Sequence, residues 1–191
     1  MERMPEEDLP QIASSRRVYL TALTTAHAPE VTRWFHDPDI WGHLRNIKVT
    51  MSGEQMEDWI RQAQDDDSFR LYAIYIKQGD VLIGYGGFTQ FSLEDRTAEV
   101  GLTLGEKRYH GRGLGSECLW LLCKVGFEVL NLHNILAENY ADNPAAIHNA
   151  RKVGFRFFGS RRQCRRIGDK VLDVHYSDML PGELIAPPER D

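Results

Sequence analysis

The sequence predicts a mixed α/β fold in one domain. Of its 191 residues, 42% are hydrophobic and 27% are charged, which is ordinary for a globular protein with a sizeable core. Strand-like alternation and helix-like periodicity follow one another as strand, two helices, three strands, helix, strand, helix and two strands. No internal repeat or linker interrupts this series, so the strands and helices are expected to share one core.

Cap and turn signals bound the predicted elements. Asp37-Pro38 ends the first helix, because the residue before a proline avoids the helical region. Asn143 and Pro144 begin the last helix as N-cap and first residue, and Gly154 ends it. The predicted elements are a strand over 17–23, a helix carrying Ala28, Val31, Trp34 and Phe35, a helix from 52–53 to 65–67, strands over 69–76, 81–91 and 98–104, a helix from 116 to about 130, a strand over 133–139, a helix over 143–154, and strands over 155–158 and 171–177.

The most informative stretch is a basic, glycine-dense turn between a strand and an apolar helix, residues 108–116. It reads Arg-Tyr-His-Gly-Arg-Gly-Leu-Gly-Ser. Glycine permits positive φ and close backbone approach, and the N–H groups at the start of the following helix attract an anion. Arg108 and Arg112 add charge that pairs with phosphate oxygens. The turn therefore predicts a phosphate site, most simply for a pyrophosphate; the alternative is a turn that only caps the helix.

Two common phosphate-binding motifs do not fit this turn. A P-loop needs Lys-Ser or Lys-Thr after its last glycine, where this chain has Ser116-Glu117. The dinucleotide fingerprint needs a glycine at 116 and a place at the start of a βαβ unit. The pattern Arg108-x-x-Gly111-x-Gly113 instead resembles the R/Q-x-x-G-x-G/A signature of the GCN5-related N-acetyltransferases (GNAT), which hold the pyrophosphate of acetyl-CoA with it.

Composition argues against several classes of protein. A net charge of −5 argues against a general nucleic-acid binder, although basic residues also cluster over 161–166, which we interpret as a solvated hairpin with phosphate contact as the alternative. Three cysteines without metal-ligand spacing predict no metal site and no disulfide framework, and Cys118 and Cys123 are expected to pack as small apolar residues. Neither a signal peptide nor an apolar run of membrane length is seen, so a cytoplasmic protein is expected.

Further motifs resemble the same family. Asn143-x-x-Ala146, followed by Lys152-x-Gly154-Phe155, resembles its second-half signature N-x-x-A…K-x-G-F. Segments 17–38, 127–133 and 168–177 resemble the ribosomal-protein (Rim-type) branch, and 127–133 also resembles the polyamine branch. The resemblance covers roughly residues 17–180. It implies the GNAT fold, a mixed and mostly antiparallel sheet flanked by helices, in a domain over 15–182 between a loosely ordered segment 1–14 and a C-terminal tail 183–191.

The resemblance also implies a coenzyme site along the strand that enters the glycine turn. Main-chain groups of Leu102, Thr103 and Leu104 would hydrogen-bond the pantetheine arm as a neighbouring strand would. Asn143 would approach the pantetheine. Asn149 and Lys152 would lie near the coenzyme. The pyrophosphate would be held by the turn and its arginines, namely Arg108, His110, Gly111, Arg112, Gly113, Leu114, Gly115 and Ser116.

Acetyl transfer to an amine requires an unprotonated nitrogen, so a general base is expected. The resemblance places Glu99 in that role, whereas the alternative is a carboxylate held by an arginine such as Arg96. The N–H of Leu102 would stabilise the oxyanion. The leaving thiolate has no tyrosine where many relatives carry one, because this chain has Ala150 there. Either the thiolate leaves unaided or another group protonates it, and Tyr140, His148 and Asn149 are the candidates.

The acceptor is expected opposite the coenzyme, between the first helices and the last hairpin. Trp34, His36, Trp41 and His43, with Tyr176, would line that site, although a core position is the alternative for Trp34. Acidic runs at 54–58 and 65–67 would attract a cationic acceptor or simply form a solvated helix face.

The sequence thus predicts an acetyl-CoA-dependent N-acetyltransferase without a metal. A protein N-terminal α-amine is slightly favoured as acceptor over a small amine such as a polyamine, amino sugar or antibiotic. A non-catalytic acyl-CoA-binding module and a nucleotide-binding protein are the alternatives. Expected partners are acetyl-CoA and the amine acceptor, with a homodimer as the candidate assembly and no nucleic acid or membrane.

Overall fold

A mixed sheet of eight strands runs through the part of the chain that the computed structural model describes, residues 9–41, 51–167 and 169–188. The strand order is β1-β2-β3-β4-β5-β6-β8-β7, and every neighbouring pair is antiparallel except β5 and β6, which are parallel. The strands are β1 Ala13–Ser14, β2 Val18–Ala22, β3 Arg70–Ile76, β4 Val81–Ser92, β5 Thr97–Leu104, β6 Asn134–Tyr140, β7 Arg156–Ile167 and β8 Lys170–Met179.

Helices cover both faces of this sheet. One face packs on α1 Ala28–Phe35 and α3 Gly53–Asp65, with the short α2 Pro38–Trp41 after α1; the other packs on α4 Leu114–Glu128 and α5 Pro144–Val153. The predicted fold class and the order of the elements are confirmed. The predicted caps of α5 are also present, because the Asn143 side chain accepts from the Ala146 N–H and Gly154 is the C-cap, whereas the Ser52 cap of α3, whose side chain accepts from the Gln55 N–H, was not predicted.

The larger core lies under α4, whose buried side includes both of its cysteines. Cys118 and Cys123 are fully buried among Leu121, Leu122 and Phe88. Burial raises the pKa of both thiols, so they remain neutral and pack as small apolar groups, as the sequence predicted.

Three features differ from the predicted elements. The closing hairpin is longer than predicted, because the basic segment 161–166 continues β7 instead of linking two short strands. This segment lies at the edge of the sheet, where charged side chains reach water. A strand can therefore continue through its polar residues. The two-residue β1 and the four-residue α2 were not predicted, because elements this short show no hydrophobic period.

Helix α1 is fastened to the end of β5 through Trp34. This side chain is 1% exposed, and its indole N–H donates to Glu106 Oε1 at 3.1 Å. Arg33 pairs with the same carboxylate. Burial alone would raise the pKa of Glu106, but the hydrogen bonds from Arg33 and Trp34 outweigh it and keep that pKa below its ordinary value. A Cβ on Gly105 would lie 1.9 Å from the Trp34 ring, so the indole occupies the space that a side chain would need.

We predict that Gly105→Ala lowers the free energy of unfolding by about 2 kcal/mol, because the added methyl group overlaps a buried ring that cannot move aside. Urea unfolding measures the difference. Gly101→Ala, where no atom lies within 4 Å of the added Cβ, is the control and should unfold as the wild type does. Equal midpoints for the two variants would contradict the prediction.

Candidate active site

The site is built where β5 and β6 separate. The two strands pair only from Thr97 to Glu99 with Asn134 to Leu136, although β5 continues to Leu104 and β6 to Tyr140. Beyond the last pair, the sheet is open between two of its central strands.

The open edge of β5 presents main-chain groups of Leu102 and Leu104. Gly105 N–H donates to Ile83 O at 2.9 Å, which fixes the alternation of the β4–β5 ladder. Gly101 and Thr103 therefore turn their main-chain groups toward β4, and the alternate residues turn theirs into the opening. The expected coenzyme contact through the Thr103 main chain does not fit this ladder; Thr103 is buried and pairs with Tyr85 of β4.

The predicted glycine turn connects β5 to the start of α4. Gly111 has φ +73° and Gly113 has φ +75°, a left-handed conformation that a side chain would strain. Gly113 is the N-cap of α4, so the N–H groups of Leu114, Gly115 and Ser116 point out of the helix start. The turn and the open edge of β5 are therefore continuous.

A buried carboxylate anchors this turn to the start of β2. Glu117 accepts from the Ser15 hydroxyl at 2.7 Å, from the Arg17 N–H at 2.8 Å and from Arg17 Nε at 2.7 Å. The Arg17 guanidinium also donates to Arg112 O at 3.0 Å. Burial alone would raise the pKa of Glu117, but these donors outweigh it and hold the pKa below its ordinary value. The sequence analysis missed this anchor, whose partners lie about 100 residues apart.

The basic side chains of the turn take distinct positions. Arg108 and Arg112 are exposed and flank the Tyr109 ring at 4.9 and 5.8 Å from its centroid. His110 instead turns back, with Nε2 at 2.8 Å from Leu104 O. Lys107, just before them, pairs with Asp37 and with Asp39 of α2. Arg108 forms a long ion pair with Glu106, with Nε 3.8 Å from Oε2. The loop is therefore tied to the first helices, and both arginines keep exposed side chains that an anion can reach.

Helix α5 brings its predicted residues next to α4. Asn149 Oδ1 accepts from the Ser116 hydroxyl at 2.8 Å, and Asn143 is engaged as the α5 N-cap. Lys152 lines a cavity of 190 Å³ together with Gly113 and Trp120 of the turn and α4. The cavity adjoins the helix start that would hold the pyrophosphate.

Glu99 lies on the opposite face of the sheet from α4. It is 4% exposed and accepts from Gln90 Nε2 at 2.7 Å, which is a different contact from the arginine pair that the sequence offered as the alternative. Gly101 follows on the same face and is exposed, with no atom within 4 Å of a Cβ position. Glu138 also shares this face, two residues beyond Leu136, the β6 partner of Glu99.

The candidates for the leaving-group acid lie in different surroundings. Ala150 is 3% exposed and packs in the core under α4. His148 is exposed on α5, and Asn149 is bonded to Ser116. Tyr140 is buried at the end of β6, on the same face as Glu99 and at the open part of the sheet. Tyr140 is therefore the candidate whose position suits the role.

The residues predicted to line the acceptor site are only partly brought together. Trp34 is buried in the core, in line with the alternative interpretation, and His36 Nε2 lies 3.0 Å from Met51 O at the entry to α3. Tyr176 of β8 packs against Phe158, with ring centroids 6.2 Å apart, on the face of Glu138. Trp41 ends α2, with its side chain outside the described part of the structure, and His43 is outside the described residues.

Two further observations concern the described residues only. Within them, no group of three or more His, Cys, Asp or Glu side chains is placed to hold a metal ion. No helix in the same ranges has the length and apolar character needed to span a bilayer.

We predict that Glu117→Gln lowers the free energy of unfolding by about 2 kcal/mol at pH 7, because an amide replaces a carboxylate that accepts three hydrogen bonds. The folded pKa is depressed, so the stabilisation is complete above the unfolded value of about 4.3 and disappears as pH falls through the folded pKa. Urea unfolding of the wild type and of Glu117→Gln, measured from pH 7 down to the folded pKa, tests this prediction. Glu128→Gln, which removes an exposed carboxylate paired with Lys124, is the control. A difference in unfolding free energy between wild type and Glu117→Gln that does not narrow at low pH would contradict the role given to Glu117.

The sequence is similar to those of known acetyltransferases. The sequence profile of the acetyltransferase (GNAT) domain matches residues 17–156. A Bacillus licheniformis protein named uncharacterized N-acetyltransferase p20 is 26% identical over 172 residues, covering 88% of this chain and 96% of that protein. The Bacillus subtilis uncharacterized N-acetyltransferase YnaD is 26% identical over 117 residues, covering 61% and 68%.

Solved structures show the same fold. The spermidine N-acetyltransferase from Vibrio cholerae in complex with CoA and spermine has a TM-score of 0.80 at 20% identity, covering 87% of this chain and 96% of that one. A GNAT-family acetyltransferase from Bacillus anthracis has a TM-score of 0.76 at 20% identity, covering 89% and 98%. With its profile match over most of the chain, its splayed strands and its glycine turn, the protein belongs to the GNAT acetyltransferase family.

Proposed function

We propose that this protein transfers the acetyl group of acetyl-CoA to a primary amine, and that a protein N-terminal α-amine of the Rim type is the acceptor. The main support is the opening between β5 and β6. It lies between the glycine turn and the buried carboxylate of Glu99, which is on the other face of the sheet. A direct transfer needs both substrates to meet at one point, and an opening between two central strands supports such a meeting.

The residues present fit acetyl-CoA. The helix start after Gly113 suits the pyrophosphate, with Arg108 and Arg112 exposed beside it. The Leu102 main chain suits the amide groups of the pantetheine arm, because it faces an edge that β6 has left. When bound, acetyl-CoA supplies a thioester activated toward attack by an amine. The cavity beside Lys152 and Trp120 adds one more contact surface next to the turn.

Glu99 is the proposed general base. An amine acceptor arrives largely as an ammonium, because α-amines titrate near pH 8 and alkyl amines near 10.4. Glu99 takes one proton from it, directly or through a water, and Glu138 on the same face adds negative charge that attracts the cation. The Leu102 N–H then donates to the acetyl oxygen on which negative charge develops.

Tyr140 is the proposed donor to the departing sulfur. The new bond joins the amine nitrogen to the acetyl carbon, the nitrogen gives up its second proton to solvent, and the carbon–sulfur bond breaks. The sulfur leaves as a thiol with a proton from Tyr140, which regains one from solvent. Tyr140 is buried at the open end of β6. Ala150, at the position where many relatives carry tyrosine, has no proton to offer and packs in the core.

A polyamine is the second candidate acceptor. Two observations favour it: Glu99 and Glu138 put two carboxylates on the acceptor face, and the similar solved structures include spermidine N-acetyltransferases. The protein N-terminus is favoured by the resemblance of segments 17–38 and 168–177 to the Rim-type branch. We also propose that the protein is cytoplasmic and that it forms a homodimer.

We predict that the purified protein releases CoA thiol from acetyl-CoA with one class of amine, tested on N-terminal peptides, spermidine, amino sugars and aminoglycosides. Glu99→Gln should lower kcat by about a hundredfold or more while leaving CoA affinity unchanged, because only proton removal is lost. Glu94→Gln, at an exposed residue of the β4–β5 turn, is the control. Tight CoA binding without turnover on any amine would instead support a non-catalytic binding module.

We predict that Tyr140→Phe lowers kcat by about a hundredfold with CoA affinity unchanged, because the sulfur must then leave without a proton donor. Tyr72→Phe, a buried tyrosine on the α4 side of the sheet, is the matched control. A fall in kcat of less than about tenfold would mean that the thiolate leaves unaided, as thiols with a pKa near 8.5 can.

A further inference from the structure

The β7–β8 hairpin carries an unusual density of positive charge. Arginines occupy four of six consecutive positions of β7 in a chain whose net charge is −5, namely Arg161, Arg162, Arg165 and Arg166. Within the described ranges 9–41, 51–167 and 169–188, none of the four forms an ion pair. Like charges this close repel one another, so the cluster favours a negatively charged partner.

The register divides three of these arginines between the two faces of the sheet, while Arg162 lies in the bulge and has no Cα partner. Arg161 pairs with Val174 and Arg165 pairs with Leu172, whereas Arg166 pairs with Val171. Val174 also pairs with Tyr140, and side chains alternate along a strand. Every second residue of β8, counted from Val174, therefore lies on the acceptor face, the face of Tyr140 and Glu99. Arg161 and Arg165 therefore share the face of Tyr140 and Glu99.

A second observation concerns Arg165 itself. Its Nε is closed off from solvent, and no hydrogen-bond acceptor for it lies among the described residues. Buried N–H donors are almost always paired, so the Arg165 guanidinium has hydrogen-bonding capacity that the described residues do not use. A carboxylate suits it, because it accepts from a guanidinium in the plane of both groups.

The distance to the reacting centre can be read from the ladder. Continuing the β5–β6 register places Leu102 level with Asn139, next to Tyr140. Arg161 is two strand spacings from Tyr140, about 10 Å, and Arg165 lies about 7 Å farther along the hairpin. An extended peptide spans this distance in about three to five residues.

We propose that Arg161 and Arg165 form an acidic-residue subsite of the acceptor site, so that the preferred substrate is a protein N-terminus with Asp or Glu about three to five residues after its α-amine. This inference rests on the proposed function and selects among its acceptors. The α-amine is drawn to Glu99 and Glu138 while the following carboxylates pair with the hairpin. A polyamine lacks carboxylates and gains nothing from these arginines.

The test compares three synthetic decapeptides that share their first two residues and carry four Asp, four Ser or four Lys at positions 3 to 6. We expect kcat/KM for the Asp peptide to exceed that for the Ser peptide by about tenfold or more, mainly through KM, and the Lys peptide to be poorest. The double variant Arg161→Ala/Arg165→Ala should abolish the preference, so that the Asp and Ser peptides give equal kcat/KM. The reversal Arg161→Glu/Arg165→Glu should favour the Lys peptide.

The matched control is Arg162→Ala/Arg166→Ala, which removes the same charge and should keep the preference for the Asp peptide. Circular dichroism of each variant checks that the hairpin change leaves the fold intact. Binding of the same peptides with CoA present, followed by fluorescence anisotropy, gives a readout independent of turnover and should show the same order.

Several outcomes would overturn the inference. Equal kcat/KM for the three peptides, or an equal loss in both double alanine variants, would do so while leaving N-terminal acetylation in place. Turnover of spermidine with no peptide turnover or binding would overturn it and leave amine acetylation in place. Tight binding of a single-stranded oligonucleotide that the Arg161→Ala/Arg165→Ala variant loses, with no peptide discrimination, would assign the cluster to nucleic acid instead. CoA binding without turnover or peptide binding would remove both proposals.

Discussion

The early separation of β5 from β6 is the constraint on which the site depends. Strands that part after three residue pairs leave main-chain N–H and C=O groups unpaired in the middle of a sheet, where leaving them unpaired is costly. His110 satisfies one of them through the carbonyl of Leu104. The groups of Leu102 remain for an extended ligand. The same gap lets residues from both faces reach one point, which a continuous sheet would prevent.

Ion pairs on both flanks hold the glycine turn beside this gap. Two left-handed glycines give the turn its shape but also give the unfolded chain much freedom, so fixed contacts are needed to keep one geometry. Glu117 with Arg17 fixes the α4 side, and Glu106 with Arg33 and Trp34 fixes the β5 side. Both carboxylates stay ionised because their donors outweigh the effect of burial.

The sequence was most informative where the signal is contiguous. The glycine turn, the caps at Asn143 and Gly154, and the long apolar helix α4 each carry their evidence within a few residues, and all were predicted. The contacts of Glu117 and Glu99 join residues that are separate in sequence, so no local pattern announces them. Helical spacing could place Trp34 on an apolar face, but it could not tell whether that face meets the core or a ligand.

The charged hairpin shows the limit of reading polarity as a loop. Alternation along β7 is hidden by its arginines, yet edge position lets a strand carry such residues. Their placement on one face or the other depends on pairing with β8, and the bulge between Arg161 and Arg165 shifts that register. Only the folded structure reveals which of these arginines lie on the same face of the sheet as Glu99.

The two faces of the open sheet also divide the molecule into parts that can change independently. Residues that hold the α4 side of the turn belong to α4, α5 and the segment before β2, whereas Glu99, Tyr176, Arg161 and Arg165 lie on the other side. Met179 of β8 belongs to the core under α4, but the exposed Arg161 does not, so a substitution of Arg161 leaves the packing of α4 untouched. The exposed positions of β7 are therefore the part of the hairpin that can vary while the core under α4 stays fixed.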